Sequence, residues 1–355
     1  MTELPAGLTV RPARLDDAAE AARVAAFVAD QPEGTPFHLP AWGQATARAT
    51  GQAFTLLLAE QGRALAAVLP LTTIRSRLFG SALVSTGFGV GGGPLGATGA
   101  QATLIRRALA IAEADEAPTL ELRGGTPPQG PGWNLLEGRY LGFARSIAAD
   151  DAAELAAIPR KQRAEVRKAL AADLEVVTGR STGDLAEHFA VYGESVRNLG
   201  TPVFPRALFR TVLDAFGPEG ADILTVRHAG KPVASVLSLY WRGTVYPYWG
   251  GGTRAARALR ANDAMYFALM RHARERGCTR FDFGRSKAGT GPAAFKKNWG
   301  FTPEPLGYAT WTRDGAAPRD ASPLNPKYRL KIAAWQRLPL GIANRLGPWI
   351  ARGLG

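Results

Sequence analysis

The stretch Phe281–Phe301, FDFGRSKAGTGPAAFKKNWGF, gathers an acid, a hydroxyl pair and four basic groups among four glycines. Strand alternation puts Phe281 and Phe283 on one face and Asp282 on the other. A carboxyl inside an apolar strand costs stability unless it is paired. Asp282 is therefore either the ion-pair partner of Arg285 or another arginine, or a general base with a raised pKa. Arg285, Ser286, Lys287 and Thr290 follow in what reads as a flexible basic turn. A helix then opens, with Gly291 as N-cap, Pro292 as its first residue and Gly300 as its stop. The spacing is not that of a Walker phosphate loop, which needs Gly-x4-Gly-Lys-Ser/Thr. Thr290 and the free N–H groups beside it still suit an anion, with Arg285 and Lys287 adjacent and one of Lys296 and Lys297, taken as Lys296, in reach.

A second constellation lies upstream. The pattern predicts one long helix over Arg254–Arg276, capped by Thr253. Arg254, Arg257 and Arg260 fill its first turns, and no acid precedes Asp263. Cations at a helix N-terminus oppose the macrodipole by roughly 0.3–1 kcal/mol each. The arrangement makes sense if an anion binds there; the alternative is three solvated arginines. Asn262 and Asp263 are a polar pair within this helix, and Asp263 is the second candidate base or an arginine partner. Tyr246 and Tyr248 share a face of the strand Val245–Trp249, where Tyr248 and Trp249 either contact substrate or pack. In PRKQRAEVRKAL, Arg160, Arg163 and Arg167 share one helical face. That face either lines a cleft, through Arg163 and Arg167, or solvates a linker helix. No histidine or cysteine spacing suggests a metal or a catalytic triad, and Cys278, the single cysteine, cannot form an internal disulfide.

These groups need elements to position them. The chain has 355 residues, enough for two cores, with 46% hydrophobic and 21% charged residues. Its net charge of +13 favours an anionic partner, whether nucleic acid, membrane surface or phosphorylated substrate. It carries no run long and apolar enough for a transmembrane helix and no signal pattern at its start, so a cytoplasmic location is expected. From Ala321 to Gly355 there are six basic residues and no acid; Tyr328, Ile332 and Trp335 share one helical face, and Leu346, Trp349 and Ile350 could make another. Pro339 and Pro348 are expected to break this tail into short pieces. It reads as a membrane-surface segment or as a helix packed on its own domain.

Residues 56–71, LLLAEQGRALAAVLPL, overlay 224–239, LTVRHAGKPVASVLSL, without a gap, and both read as hairpins. Helices are predicted before each: Asp16–Val28 and Pro40–Thr50 in the first half, Asp184–Asn198 and Arg206–Phe216 in the second. Gly91-Gly92-Gly93 and Gly250-Gly251-Gly252 each end a strand and lead into a long helix, then a short strand, LEL at 120–122 and FDF at 281–283. The shared order implies a duplicated domain.

That order resembles the GNAT acyltransferase fold, and tandem GNAT-like halves resemble the FemAB family. FDFGRSKAGTGPAAFKKNWGF, GGGTRAARALRANDAMYFALM, NLGTPVFPRALF, PRKQRAEVRKAL and NPKYRLKIAAWQRLPL together are similar to FemAB-related proteins of exosortase/PEP-CTERM exopolysaccharide systems. The resemblance implies an α/β (α+β) fold: two tandem GNAT-like domains, 1–155 and 156–320, each a mixed sheet flanked by helices, and a basic amphipathic segment, 321–355. It implies transfer of an acyl or aminoacyl group to an amine on a cell-envelope or exopolysaccharide-related acceptor that is anionic or lipid-linked. The donor is a co-substrate rather than a bound cofactor: aminoacyl-tRNA, or acyl-CoA or an acyl carrier. In GNAT enzymes the donor's pyrophosphate lies at the helix start, yet GGGTRAARAL departs from the usual acetyl-CoA loop. Splayed fourth and fifth strands, Val245–Trp249 and Arg280–Gly284, would hold the acyl arm, with strand N–H groups on the oxyanion. Two alternatives stay open: a CoA- or carrier-dependent enzyme without RNA, and a non-catalytic module binding an anionic envelope precursor or RNA. The first half, lacking these arginines, is expected to be a structural partner. The expected place is the cytoplasm, at the inner face of the cytoplasmic membrane if the basic tail contacts lipid.

Overall fold

A computed structural model describes residues 7–316, 319, 325 and 328–355. The chain begins with strand β1 (Leu8–Pro12), helices α1 (Ala18–Asp30) and α2 (Pro40–Thr50), the hairpin β2 (Ala53–Gln61) and β3 (Ala64–Ile74), then β4 (Ala82–Ser85) and β5 (Leu95–Gly96). Helix α3 (Thr98–Ala114) follows, then β6 (Thr119–Arg123) and β7 (Trp133–Leu135). Next come β8 (Tyr140–Ser146), α4 (Asp151–Ala157), α5 (Arg160–Leu170), β9 (Glu175–Gly179), α6 (Thr182–Asn198) and α7 (Arg206–Gly220). The second hairpin is β10 (Ala221–His228) and β11 (Lys231–Trp241), followed by β12 (Thr244–Gly252), α8 (Ala256–Leu259), α9 (Ala261–Glu275), β13 (Arg280–Lys287) and α10 (Gly291–Asn298). The chain closes with β14 (Pro303–Pro305), β15 (Tyr308–Thr312), α11 (Arg329–Arg337) and α12 (Leu340–Ala351).

The strands form two sheets with one plan. The first runs β1-β2-β3-β4-β6-β15-β7, with β5 also on β3; the second, written in the same sense, runs β9-β10-β11-β12-β13-β8-β14. In each, one parallel pair sits among antiparallel neighbours: β4 with β6, and β12 with β13. This is the mixed α/β arrangement expected of two tandem GNAT-like domains. The strand next to the parallel pair is exchanged, however. β8 follows the first copy in sequence but pairs with β13, whereas β15 follows the second copy and pairs with β6. The compact units are accordingly residues 1–138, 306–322 and 350–355, and residues 139–305 and 323–349. Boundaries at 155/156 and 320/321 do not coincide with this division, because pairing partners rather than chain order decide where β8 and β15 belong.

The core of the second unit sits between its sheet and α9. Met265, Leu269, Met270 and Ala273 of α9 pack with Phe281, Phe283, Trp299 and Phe301, all buried. Each buried large side chain contributes about 1.5–3 kcal/mol. In the first unit Leu104, Ile105 and Ala108 of α3 cover Leu57, Leu69 and Leu120 in the same way. Helix α7 breaks at Gly217, φ +68°, directly after the expected end at Phe216.

Five local expectations need correction. The hairpin turns lie at Gly62-Arg63 and Ala229-Gly230, one residue out of the ungapped overlay, so matched letters are not all matched positions. Gly91–Gly93 end no strand; they lie in the loop between β4 and β5, and it is Gly96, opposite Ala67, that stands where Gly252 stands opposite Ala234. GRSK is not a flexible turn: β13 continues to Lys287 because β8 supplies a partner as far as Tyr140. The helix predicted over Arg254–Arg276 is split. Arg260 adopts φ +53°, ψ +33°, so α8 ends there and α9 starts anew. Of the tail, residues 321–324, 326 and 327 lie outside the described residues. Pro339 separates α11 from α12, but α12 runs through Pro348. Its buried Gly347 packs so closely on Val203 that tertiary contact offsets the missing hydrogen bond.

Candidate active site

Between β12 and β13 the second sheet opens. The two strands pair only at Thr244↔Arg280 and Val245↔Phe281. Beyond that, β12 stays with β11 to Gly252 and β13 stays with β8 to Lys287. A bulge on each strand accompanies the divergence. On β12, Leu237 faces Trp249 while Ser238 faces Pro247, which leaves Tyr248 as the extra residue. On β13 the register slips between Asp282 and Arg285, with Gly284 at φ +64°. Bulges bend a strand and free main-chain groups from the ladder. The expected splay of Val245–Trp249 from Arg280–Gly284 is thus present, with unladdered strand edges facing each other.

The β13 bulge is held by two sequence-predicted residues. Asp282 Oδ1 accepts a hydrogen bond from the Gly284 N–H at 2.7 Å. Burial raises the pKa of this carboxyl, while the Gly284 N–H, Arg280 and Lys296 oppose the shift. Lys296, only 9% exposed, donates to the carbonyls of Phe283 at 2.6 Å, Gly284 at 3.3 Å and Arg285 at 3.1 Å. Burial pushes its pKa down to about 8, with the Asp282 charge opposing. Lys296 therefore serves the three carbonyls that the bulge turns out of the ladder, rather than a site at the start of α10. Arg285 lies over the Tyr140 ring at 4.6 Å and Lys287 at 5.9 Å from it, which gives Arg285 an aromatic neighbour in place of the expected Asp282. The Thr290 hydroxyl donates to Lys287 O at 2.7 Å and closes the turn into α10. Ser286 is buried, and its Oγ has no hydrogen-bond partner.

Helix α9 supplies the other wall. Asn262 and Tyr266, one turn apart, share a helical face. Their polar ends lie over the glycines of β12. A Cβ on Gly252 would sit 2.5 Å from Asn262 Oδ1, and one on Gly250 would sit 3.2 Å from the Tyr266 hydroxyl. Ser195 of α6 occupies the same position over Gly251 from the other side. The alternation 250/252 against 251 is the two-residue period of a strand, so the triplet is glycine because polar side chains take the space of its Cβ atoms. Asn262 Oδ1 is buried without a partner. Tyr266 bridges towards β13, its ring 4.8 Å from Phe283, and burial raises its hydroxyl to about 12. Asp263 faces α5: Gln162 Nε2 donates to its Oδ1 at 2.6 Å. Burial raises Asp263 to about 6, against the Trp299 indole and the Gln162 amide, which favour the charged form. A carboxyl poised there suits proton abstraction near neutral pH.

The remaining basic candidates divide. Arg254 and Arg257 are exposed around α8, and Arg167 is exposed on α5. Arg163 is committed: its guanidinium donates to Ile158 O at 3.0 Å and Ala156 O at 2.6 Å, capping α4. The chain's own carboxylates stand where an anion was expected. Glu194 Oε1 accepts from the Arg254 N–H at 2.7 Å, and Glu165 pairs with Arg260. Trp249 is 4% exposed and packs edge-on against Phe209 at 5.1 Å, so it is core, while Tyr248 beside it is half-buried. Sequence reasoning missed Tyr266, Gln162, Ser195 and Glu194. Only Tyr266 left a signal, its spacing of four from Asn262 in the first half of the helix.

A family model described as an acetyltransferase (GNAT) domain matches residues 159–297, from the start of α5 through α10. Among solved structures, FemX matches with a TM-score of 0.66 and 17% identity over 88% of this chain and 98% of that one. A tandem GNAT protein from the clavulanic acid biosynthesis pathway matches at 0.55 and 14%, over 88% of this chain and 100% of that one. The C-terminal domain of a protein assigned as a lysylphosphatidylglycerol synthetase of Agrobacterium fabrum also matches at 0.55 and 14%, over 82% and 92%. At these identities the likeness is one of fold. No curated protein matches the sequence.

Proposed function

We propose that the chain, whose residues 159–297 match a GNAT acetyltransferase family model and whose fold is like that of FemX, is a tandem GNAT acyltransferase, and that its second unit moves an aminoacyl group from an activated ester to an amine on an anionic or lipid-linked envelope acceptor. The observation that carries this reading is the divergence of β12 and β13 around two bulges. It offers an extended acyl arm a slot with main-chain N–H groups at its edge. The amine nitrogen attacks the carbonyl carbon, and the ester oxygen leaves with the bonding pair. Asp263 takes the proton released by the amine and passes it to the departing oxygen, while strand N–H groups hold the oxyanion of the tetrahedral intermediate. Asn262 and Tyr266 form the wall against which the acyl group lies. Asp282 and Lys296 act at one remove, by keeping β13 bulged. Arg254, Arg257 and Arg167, exposed and basic, meet the donor's phosphates, while Arg285 and Lys287 near the end of β13 and Thr290 after it line the approach, with the unpartnered Ser286 hydroxyl buried between them. The FemX and lysylphosphatidylglycerol synthetase likenesses support an aminoacyl donor and an envelope acceptor.

A CoA thioester is the second reading, favoured by the acetyltransferase family model. Against it stand Glu194 on the Arg254 N–H and Glu165 on Arg260, which put negative charge where a donor pyrophosphate would lie. The test is direct. Calorimetric titration with acetyl-CoA should give no heat, while charged tRNA should bind with an affinity that falls steeply with salt. Tight CoA-thioester binding with salt-insensitive or absent tRNA binding would reverse the assignment.

A further inference from the structure

Helix α12 turns small residues inward and large apolar ones outward. Ala343, Gly347 and Ala351 are buried. Ile342, Leu346 and Trp349 are 47%, 48% and 50% exposed. Steps of four and three place these three side chains on one face, and exposed Arg345 shares it. Ile350, expected in this stripe, instead lies half-buried beside it. Arg352 extends the basic character past the helix end, and residues 328–355 contain Arg329, Lys331, Arg337, Arg345 and Arg352 with no acidic residue.

We propose that this face of α12 seats the protein on an anionic lipid surface. Ile342, Leu346 and Trp349 enter the boundary between headgroups and acyl chains, Trp349 at the depth an indole favours. Arg345 reaches outward from the same face, its stem on the apolar side and its guanidinium on lipid phosphate. No helix among the described residues is long and apolar enough to cross a membrane, and three side chains give shallow, reversible binding. A second copy of the chain fits the face poorly. In a two-fold contact the same patch meets itself and brings Arg345 against Arg345. The proposal deepens the acyltransfer reading, because a lipid-linked acceptor would be met at that surface, but its test does not depend on activity.

The full-length protein is sedimented with vesicles of phosphatidylcholine alone or mixed with phosphatidylglycerol. Wild type should partition to the mixed vesicles, with binding that weakens as salt rises, and far less to phosphatidylcholine. Leu346→Ser with Trp349→Ser should lower partitioning about tenfold or more, and Arg345→Glu should lower it on the anionic vesicles only. All are exposed positions, so unchanged circular dichroism and unfolding midpoints are expected. Failure of wild type to partition, or variants that bind like wild type, overturns the proposal. So does concentration-dependent dimerisation that Trp349→Ser abolishes, which would assign the face to a second copy. Loss of the acyltransfer reading with vesicle binding intact leaves the lipid surface standing, and the converse result separates the two.

Discussion

The same strand is built twice and interrupted differently. In the second unit β12 runs unbroken from Thr244 to Gly252 with Tyr248 as its one extra residue, and nothing ladders it to β13 past Val245. In the first unit the strand stops at Ser85, detours through Thr86–Pro94 and resumes as β5 on the same partner, β3. That detour is pinned by buried side chains. Arg123, 5% exposed, donates to Thr86 O at 2.9 Å and Gly89 O at 2.7 Å while its Nε meets Glu121 at 2.7 Å. Trp42 Nε1 donates to Gly87 O at 3.2 Å, and His38 Nε2 lies 3.2 Å from Gly93 O. Burial pulls His38 down to about 4, so it stays neutral at pH 7. Where Arg123 closes the first parallel pair, the second has Gly284 at the matching place after the strand acid, Glu121 against Asp282. One unit thus spends an arginine on sealing its sheet, and the other leaves its sheet open.

If only the open unit is catalytic, Asp263→Asn should lower turnover about 10²–10⁴-fold and remove the acid limb that wild type should show near pH 6. Turnover close to wild type would mean that the division of labour is wrong or that the base lies elsewhere. Arg123→Ala tests the sealed unit. It strands the Thr86 and Gly89 carbonyls and removes the guanidinium beside Glu121, and should cost about 3–5 kcal/mol in urea unfolding; a cost below about 1 kcal/mol would show that the loop needs no staple. Lys296→Met removes the donor from three bulge carbonyls and should cost about 1–3 kcal/mol. It also has a pH signature. A lysine lowered to about 8 in the fold binds its proton less readily than in the unfolded chain, so wild-type stability should rise with pH from about 8 towards its ordinary 10.5. In Lys296→Met that rise should flatten, and an unchanged slope would relocate the titration. Smallest are Arg254→Ala and Arg257→Ala. Each should leave stability within about 0.5 kcal/mol and reduce the salt slope of tRNA binding by about one. Unchanged slopes would remove these arginines from the donor path.

Local chemistry made much of this legible. The hairpins, α2, the end of α7 at Gly217, the helix stop at Gly300 and the splay of the second parallel pair follow from period, turn residues and the resemblance. The break at Arg260 was not legible, since Arg254–Arg276 carries no Gly or Pro before Gly277 to mark it; Glu165 and the packing of α9 on the sheet decide it. Nothing local to Arg123 marks it for burial, which depends on carbonyls more than thirty residues away. Lys296 read as an anion contact because its three acceptors exist only once β13 bulges.

By itself, the sequence determined which segments become strands and helices, that the plan occurs twice, and which half gathers acids, glycines and basic groups around its parallel pair. Those properties reside in periodicity and in short-range backbone preference. Only the tertiary structure decided that β8 completes the second sheet and β15 the first, that one glycine loop is sealed, and that Asn262, Tyr266 and Ser195 rest on Gly250–Gly252. Strand edges present the same N–H and C=O groups whatever their sequence. Which edge a strand finds, and which buried polar group is left to meet a substrate, is therefore settled by packing across the whole unit.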